Sequence, residues 1–193
     1  MSAAETADSL LAELQLRGAI LDGHFKLSSG RHSNRFVQKF RVLEDPVLVE
    51  RVAKAIVERV RSLGPTIVVS AAVGGIVLGY EVARQLGSLG IFVEKDAGVA
   101  TLRRGFTLGE DDRVLVVEDV VTTGLSVREV LDVVRSHGAE PVAVGIIVQR
   151  AQVDFGVATV ALLELPIESF APEGCPQCAA GEAITQPGSR FLK

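Results

Sequence analysis

Apolar and polar residues alternate along this chain in blocks that have the lengths of strands and helices. Apolar runs typical of strands occur at 66–70 (TIVVS), 91–94 (IFVE), 113–118 (RVLVVE) and 141–148 (PVAVGIIV), with a possible fifth at 157–163 (VATVALL). Helical patterns separate the first run from the second, at 76–86, and the third from the fourth, at 126–135. Because repeated strand-helix-strand units form right-handed crossovers, the pattern predicts an α/β fold with a mostly parallel sheet flanked by helices.

The region before the first strand predicts two helices with a polar segment between them. An amphipathic helix is expected over 6–17. The stretch 23–34, GHFKLSSGRHSN, is polar and contains glycine, which favours a hairpin or an ordered loop. The second helix begins at Asp45, a capping residue followed by proline, and closes at Gly64.

Length and composition are consistent with one folded unit. Of the 193 residues, 48% are hydrophobic and 23% charged, which is enough for a sizeable core. We expect a single domain over 1–193, with an N-terminal extension at 1–40, an α/β core at 65–165 and a tail at 166–193. The polar, glycine-rich segment between the second and third strands predicts an exposed hairpin or mobile loop.

The charge balance bears on partners and location. A net charge of −4 argues against a nucleic-acid partner, which needs a basic surface, although a local cluster can still bind a small anion. The first residues are acidic where a signal peptide is basic, and the longest apolar run, 67–79, is too short and glycine-broken to span a bilayer. We therefore expect no membrane insertion and a cytoplasmic protein.

Cys175 and Cys178 form a single CPQC motif near the end of the chain. A closed zinc site needs a second pair of ligands, and the three histidines show no ligand spacing in the sequence. We expect two reduced thiols in a C-terminal turn and no protein metal site. The alternative is a zinc half-site completed across a dimer.

The stretch 114–127, VLVVEDVVTTGLSV, places Glu118 and Asp119 side by side at the end of an apparently buried strand. Adjacent carboxylates repel, so both remain ionised only beside solvent or cations. The Thr- and Gly-rich residues that follow lead into a helix, whose N-terminal N–H groups suit a phosphate monoester. No P-loop or Rossmann glycine motif is present. The alternative is an ordinary strand, turn and helix in which Asp119 or Thr123 acts only as a cap.

This stretch resembles the phosphoribosyl diphosphate (PRPP) motif of type I phosphoribosyltransferases, an apolar strand followed by two acids, two apolar residues and T-T-G. Two further segments resemble the orotate phosphoribosyltransferases of that family: GHFKLSSGRHSNRF at 23–36, which is similar to their N-terminal hood, and GIIVQR at 145–150, similar to their base-binding strand. With SAAVGGIVLG at 70–79 and the CPQC…PGSR tail, the resemblance covers most of the chain and is closest to a bacterial subgroup.

The resemblance implies a Mg²⁺-dependent transfer of ribose 5-phosphate from PRPP to orotate, giving orotidine 5′-monophosphate and pyrophosphate in pyrimidine biosynthesis. Glu118 and Asp119 would hold the ribose hydroxyls and stabilise the positive charge that develops on the ring. Mg²⁺ would be bound mainly through PRPP and water. The PRPP-binding residues implied are Gly74, Gly75, Lys95, Glu118, Asp119, Val120, Val121, Thr122, Thr123, Gly124, Leu125 and Ser126, and a homodimer is implied as well.

Thr122, Arg150 and Phe36 are the orotate-binding residues that the resemblance implies. A planar guanidinium suits the orotate carboxylate, whereas a solvated strand-end charge is the alternative for Arg150. Phe36 is expected either to cover the base or to be a buried hood aromatic. For Gly74 and Gly75, close approach to an anion and tight helix packing are both open.

The chain departs from the family pattern at several positions. Ser28 and Gly74 stand where the family often has lysines, Glu94-Lys95 where it often has Arg-Lys, and Glu118-Asp119 where it often has two aspartates. We expect Lys95, Arg103 and Arg104 to supply the cations for pyrophosphate and the two arginines to act in catalysis from a mobile loop. The alternative for the arginines is a solvated loop tip.

Two other functions fit parts of this pattern. The PRPP motif does not report the base, so a purine phosphoribosyltransferase is the nearest alternative. The second is a regulator that keeps the fold as a PRPP sensor without catalysis, although no DNA-binding segment or basic face supports it.

Overall fold

The chain begins with a helix and a hairpin that forms its own small sheet. The computed structural model describes residues 3–27 and 29–186. Helix α1 covers Ala3–Leu16. Strands β1 (Ile20–Lys26) and β2 (His32–Val37) pair antiparallel, so the polar stretch at 23–34 is the centre of a hairpin. Ser28 and the PGSR part of the tail lie outside the described residues.

Two helices lead from the hairpin to the main sheet. They are α2 (Phe40–Leu43) and α3 (Pro46–Val60), and a 3₁₀ turn follows at Arg61–Leu63. Asp45 Oδ1 accepts hydrogen bonds from the N–H groups of Val47 and Leu48 at 2.9 and 3.2 Å, as an N-cap does. Gly64 closes the turn in the left-handed region, at φ 64°. Both predicted ends of this helix are thus explained by local backbone chemistry.

The main sheet has six strands and is parallel except at one edge. Its elements, in chain order, are β3 (Ile67–Ala71), α4 (Gly74–Leu86), β4 (Leu89–Asp96), β5 (Val99–Leu102), β6 (Arg113–Val121), α5 (Leu125–Ser136), β7 (Glu140–Gln149) and β8 (Ala158–Glu164), followed in the tail by a 3₁₀ turn at Pro172–Gly174 and α6 (Pro176–Ala179). The spatial order is β5-β4-β3-β6-β7-β8, and only β5 runs antiparallel to its neighbour. The predicted α/β class is confirmed.

Helices cover both faces of the sheet, and β6 shows why its sequence is continuously apolar. Leu115 and Val117 point into the core shared with α1, α3 and α4, whereas Val114 and Val116 point into the core shared with α5. All four are essentially inaccessible to solvent. A strand buried on both faces has no polar side, which is the pattern of a central parallel strand.

The strand order reverses between β3 and β6, which makes the carboxyl ends of these strands a ligand-binding position. From β3 the chain continues outward through α4 to β4, and it later returns to the other side of β3 as β6. In open α/β sheets the crevice at such a switch point is where ligands bind. None of the described helices is long and apolar enough to cross a membrane.

Candidate active site

The two adjacent carboxylates lie in the last turn of the pleat of β6, inside the strand rather than after it. The strand continues to Val121, beyond the predicted end at 118, because Val120 and Val121 pair with β7. Glu118 is 5% and Asp119 2% exposed. Glu118 Oε2 accepts a hydrogen bond from Ser126 Oγ at 2.8 Å, and Asp119 Oδ1 accepts one from the Val120 N–H at 2.6 Å. The site is therefore anchored by its own following residues.

Lys39 supplies the cation that this carboxylate pair requires. Its Nζ lies 2.9 Å from Asp119 Oδ2 and 3.2 Å from Oδ1, while its side chain is 36% exposed. The residue stands between β2 and α2, at the junction of the hairpin and the core. Sequence reasoning missed Lys39, because an isolated lysine 80 residues from its partner carries no local signal.

Glu118 and Asp119 do not share this cation equally. Burial, reinforced by repulsion from the Asp119 carboxylate, raises the pKa of Glu118 from 4.5 to about 7, although hydrogen bonds from Ser126 and the Asp119 N–H oppose the rise. Glu118 is thus largely protonated in the free protein below neutral pH. One buried acid beside Lys39 and a second one held near neutrality form an asymmetric pair.

Gly74 and Gly75 open helix α4 directly against the carboxylates. A Cβ at Gly74 would overlap Asp119 Oδ2 and Lys39 Nζ. A Cβ at Gly75 would stand 3.2 Å from Ser70 Cβ and 3.5 Å from Glu118 Oε1. Both interpretations left open by the sequence therefore apply, because the glycines pack on β3 and also admit the carboxylates to the helix N-terminus, whose partial positive charge suits anions.

The loop from Thr122 to Ser126 connects β6 to the N-terminus of α5. Thr122, Thr123 and Leu125 are exposed, whereas Gly124 is buried and left-handed at φ 78°. The first N–H groups of α5 have no partner within the helix, and hydroxyls of Thr122, Thr123 and Ser126 stand beside them in the chain. This is the arrangement of donors that a phosphate monoester requires.

The segment 150–155 after β7 braces this loop. The Arg150 N–H donates to the Val121 carbonyl at 2.8 Å, and Arg128 of α5 donates to the Asp154 carbonyl at 2.9 Å. A Cβ at Gly124 would stand 2.8 Å from Val153 Cγ1 and 2.9 Å from Phe155 Cε1, so only glycine fits there. The phosphate-type loop and the segment after β7 are therefore one packed unit.

Arg150 carries a buried guanidinium whose hydrogen-bonding capacity is not filled. Its Nε is shielded from solvent and has no hydrogen-bond partner within the part of the chain that the structure describes. Burial lowers the pKa of Arg150 from its usual value, although a guanidinium stays protonated. A buried donor without a partner is costly, which favours a ligand acceptor at this position over a solvated strand-end charge.

The other aromatic and cationic residues named from the sequence lie in the two hairpins. Phe36 of β2 is half-buried, with its ring 5.9 Å from that of Phe25. In the β4–β5 hairpin, Lys95 Nζ lies 2.8 Å from a carboxylate oxygen of Glu129 on α5. All of these positions are described, and none of these contacts joins them to Glu118 or Asp119.

Arg103 and Arg104 follow β5 and pair with acids of β4. Arg104 donates through Nε and Nη2 to the two oxygens of Glu94, each at 3.0 Å. Arg103 lies 3.4 Å from Asp96 and 3.8 Å from Glu94. The hydrogen bond from Arg104 lowers the pKa of Glu94. The departure from the family pattern at Glu94 thus has a structural role, since it holds the loop arginines.

Comparisons with known proteins agree with this geometry. The chain matches the phosphoribosyl transferase domain over residues 41–154. It is 48% identical to an orotate phosphoribosyltransferase of Pelotomaculum thermopropionicum over 189 residues, covering 97% of this chain and 100% of the relative. A second relative of that name, from Maricaulis maris, is 46% identical over 192 residues and is covered to 99%, with 97% of this chain aligned.

Solved structures show the same fold. The crystal structure of orotate phosphoribosyltransferase from Aeropyrum pernix superposes with a TM-score of 0.70 at 28% identity, over 81% of this chain and 93% of that one. An adenine phosphoribosyltransferase from Thermoanaerobacter pseudethanolicus superposes at 0.61 with 16% identity, over 68% and 88% of the two chains. The fold and the PRPP-type motif thus define a phosphoribosyltransferase.

Within that class, the near full-length identities assign a narrower group. The chain belongs to the orotate phosphoribosyltransferase family. The resemblance read from residues 114–127, 23–36 and 145–150 is confirmed, and so is the fold that it implied.

Proposed function

We propose that this protein transfers ribose 5-phosphate from PRPP to orotate, giving orotidine 5′-monophosphate and pyrophosphate. The observation that carries the proposal is the buried pair Glu118 and Asp119 at the switch point, next to the N-terminus of α5 and the unsatisfied guanidinium of Arg150. One crevice thereby offers complementary groups for a ribose, a phosphate and an acidic base. The reaction is that of a pentosyltransferase in pyrimidine nucleotide synthesis.

The carboxylate pair acts on the ribose. As the bond from the anomeric carbon to pyrophosphate lengthens, positive charge develops on the ring, and a fixed carboxylate beside the ring stabilises that charge most in the transition state. Asp119 is held in place by Lys39 and the Val120 N–H, so it needs no rearrangement. Glu118, held by Ser126, accepts a ribose hydroxyl once it is ionised.

The phosphate and base ends of the substrates have separate partners. Thr122 to Ser126, with the N-terminus of α5, bind the 5′-phosphate through backbone N–H groups and hydroxyls. Arg150 binds the orotate carboxylate through its planar fork of donors. Phe36 covers the base from the hood hairpin, β1 and β2.

The crevice fits a magnesium complex of PRPP. Its side chains offer carboxylate and hydroxyl oxygens, the ligands that Mg²⁺ prefers, and the missing Cβ of Gly74 leaves room beside Asp119. When bound, Mg²⁺ neutralises charge on the pyrophosphate leaving group. Since it keeps several waters, the ion is held mainly by PRPP, and the protein contributes the orientation of the ribose hydroxyls.

Pyrophosphate takes its remaining countercharges from Lys95, Arg103 and Arg104, with Lys39 as a fourth cation at the crevice itself. In the free chain, the first three are paired with Glu129, Asp96 and Glu94. Pyrophosphate oxygens replace these acids when the hairpin closes over PRPP and excludes water from the cationic ring. The exchange is cheap, because exposed ion pairs contribute little.

We propose a cytoplasmic homodimer with no nucleic-acid or membrane partner. Support for a dimer comes from an apolar stripe on α4, where Val73, Val77 and Tyr80 are 74%, 46% and 72% exposed at helical spacing. Light scattering of Tyr80→Glu should then show monomers, whereas Val47→Glu, an equally exposed site on α3, should leave dimers. A dimeric Tyr80→Glu protein would exclude this stripe as the interface.

The decisive experiment follows the absorbance of orotate after addition of PRPP and Mg²⁺, with adenine, guanine and xanthine tested in parallel. The proposal expects turnover of orotate alone, with release of pyrophosphate. Turnover of a purine in place of orotate would establish the purine alternative, which Arg150 disfavours. Binding of PRPP without pyrophosphate release from any base would establish the sensor alternative.

A further inference from the structure

The hood hairpin and the C-terminal tail bring together four metal-binding side chains that lie far apart in the sequence. They are His24 of β1, His32 of β2, Cys175 after the tail 3₁₀ turn, and Cys178 of α6, and one donor atom from each lies within 4.8 Å of the others. We propose that these four residues form a structural zinc site within one chain. The site is separate from the reaction crevice and does not depend on the proposed function.

The distances between the donor atoms match a tetrahedral site. His24 Nε2 lies 3.2 Å from His32 Nδ1 and 3.5 and 3.6 Å from the sulfurs of Cys175 and Cys178, and His32 Nδ1 lies 3.2 Å from Cys178 Sγ. With ordinary zinc bond lengths, ligands at tetrahedral angles stand about 3.3 Å apart for two nitrogens and about 3.6 Å for nitrogen and sulfur. The four atoms therefore already surround a position of the right size for the ion.

The surroundings of His24 prepare it as a ligand. Its Nδ1 lies 2.9 Å from the Glu182 carbonyl oxygen, which can only accept a hydrogen bond, so the proton is on Nδ1 and the lone pair of Nε2 faces the cluster. Metal-binding histidines are commonly oriented by such a second contact. His24, His32 and Cys175 are buried, which excludes competing water from three of the four ligands.

The donor set selects zinc over magnesium or a redox function. Two thiolates and two imidazoles in a tetrahedron suit Zn²⁺, whereas Mg²⁺ prefers six oxygens. Both cysteines are free thiols. On binding, each thiol forms a zinc–sulfur bond and releases its proton to solvent, with no change of oxidation state. A disulfide pair would give the two ring nitrogens beside the sulfurs no role.

The site would fasten the tail to the hood. Backbone hydrogen bonds already join Lys26 and His24 to Thr185, and His32 to Phe170, on both strands of the hairpin. An isolated two-stranded hairpin is marginal in water, and here the structure places the tail as its third layer. Zinc would make this association permanent and thereby fix the hairpin that carries Phe36.

Elemental analysis of the full-length protein, purified without chelator, tests the proposal. We expect about one zinc per chain. Cobalt substituted for zinc should show intense visible bands of tetrahedral Co²⁺ together with thiolate-to-cobalt charge transfer. Cys178→Ser, at the exposed ligand, should weaken zinc binding more than about tenfold in competition with a chromogenic chelator. His137→Gln, which changes the histidine outside the cluster, should retain the wild-type affinity.

Three outcomes would overturn the site. The first is wild-type protein with neither stoichiometric metal nor the cobalt bands after reconstitution. The second is a Cys175–Cys178 disulfide in mass spectra of unreduced, alkylated protein. The third is a folded Cys178→Ser protein that binds zinc as tightly as His137→Gln. Hydrogen exchange adds a structural readout, since removing zinc should increase exchange in 20–37 and leave β6 unchanged.

Discussion

The crevice at the end of β6 and the β4–β5 hairpin both concentrate charge, but they pair it in opposite ways. In the crevice, two buried carboxylates share one ammonium group, and the buried guanidinium of Arg150 has an unfilled donor. In the hairpin, Lys95, Arg103 and Arg104 are each matched with an acid in the open. The crevice thus lacks partners that a substrate can supply, whereas the hairpin is already neutralised.

This difference indicates how the two regions contribute to catalysis. Preorganised, poorly solvated charges act strongly on a transition state, since the protein has already met the cost of placing them. Exposed pairs are screened and exchange partners easily. We therefore expect large effects from changes in the crevice and small ones from changes in the hairpin.

The largest effect should come from Asp119→Asn. Removing the charge nearest the developing cation should lower kcat/KM for PRPP by about 100- to 1,000-fold, which corresponds to about 2.7–4 kcal/mol of transition-state stabilisation. Steady-state kinetics measures it, with Asp132→Asn on the exposed side of α5 as the matched control. A loss of less than about tenfold would remove Asp119 from the electrostatic role.

Glu118→Gln should raise stability while it lowers activity. The pKa of Glu118 is raised to about 7 in the folded state from 4.5, so its contribution is fully present below pH 4.5 and is lost as pH rises through 7. Glutamine removes this loss, so the variant should gain up to about 3 kcal/mol over wild type at pH 8 and almost nothing at pH 4.5.

Urea unfolding at several pH values measures this gain. Glu58→Gln, on the exposed face of α3, is the control and should follow the wild-type curve. Equal stability of Glu118→Gln and wild type at both pH 8 and pH 5 would show that Glu118 is not held near neutrality.

Arg150→Gln should act on orotate more than on PRPP. Loss of a charge-assisted hydrogen bond of about 1.5–3 kcal/mol predicts a rise in KM for orotate of about 10- to 100-fold, with KM for PRPP nearly unchanged. Arg135→Gln, an exposed arginine of α5, is the matched control. A rise confined to KM for PRPP would move Arg150 from the base to the phosphate end.

The smallest effects should come from the hairpin. Arg103→Ala and Arg104→Ala should each lower kcat/KM for PRPP severalfold, whereas Glu94→Gln should raise it slightly by freeing Arg104. Arg59→Ala on α3 is the control. If both arginine variants stay within about twofold of wild type, the arginines are only a solvated loop tip.

The predictable features were those fixed by neighbours in the chain. The Asp45 cap, the left-handed Gly64 and the donors after Val121 all act within a few residues, so their sequence pattern carries the information. The end of β6 was placed three residues early because Val120 and Val121 are ordered by pairing with β7, which no local pattern reports.

The features that sequence reasoning missed are long-range contacts. Lys39 reaches Asp119 across 80 residues, and His24 reaches the CPQC motif across more than 150. Histidine spacing in the sequence therefore gave no ligand pattern, although the hairpin brings the two rings within 5.1 Å. Only the fold places such residues together.

The packing of Gly124 against Val153 and Phe155 has a consequence for altering which base is accepted. The segment that follows Arg150 is also the wall on which the phosphate loop rests. Grafting this segment from a purine-specific relative would change the wall and the base contact in one step. New base preference in this scaffold must therefore evolve, or be engineered, by coordinated changes on both sides of Gly124.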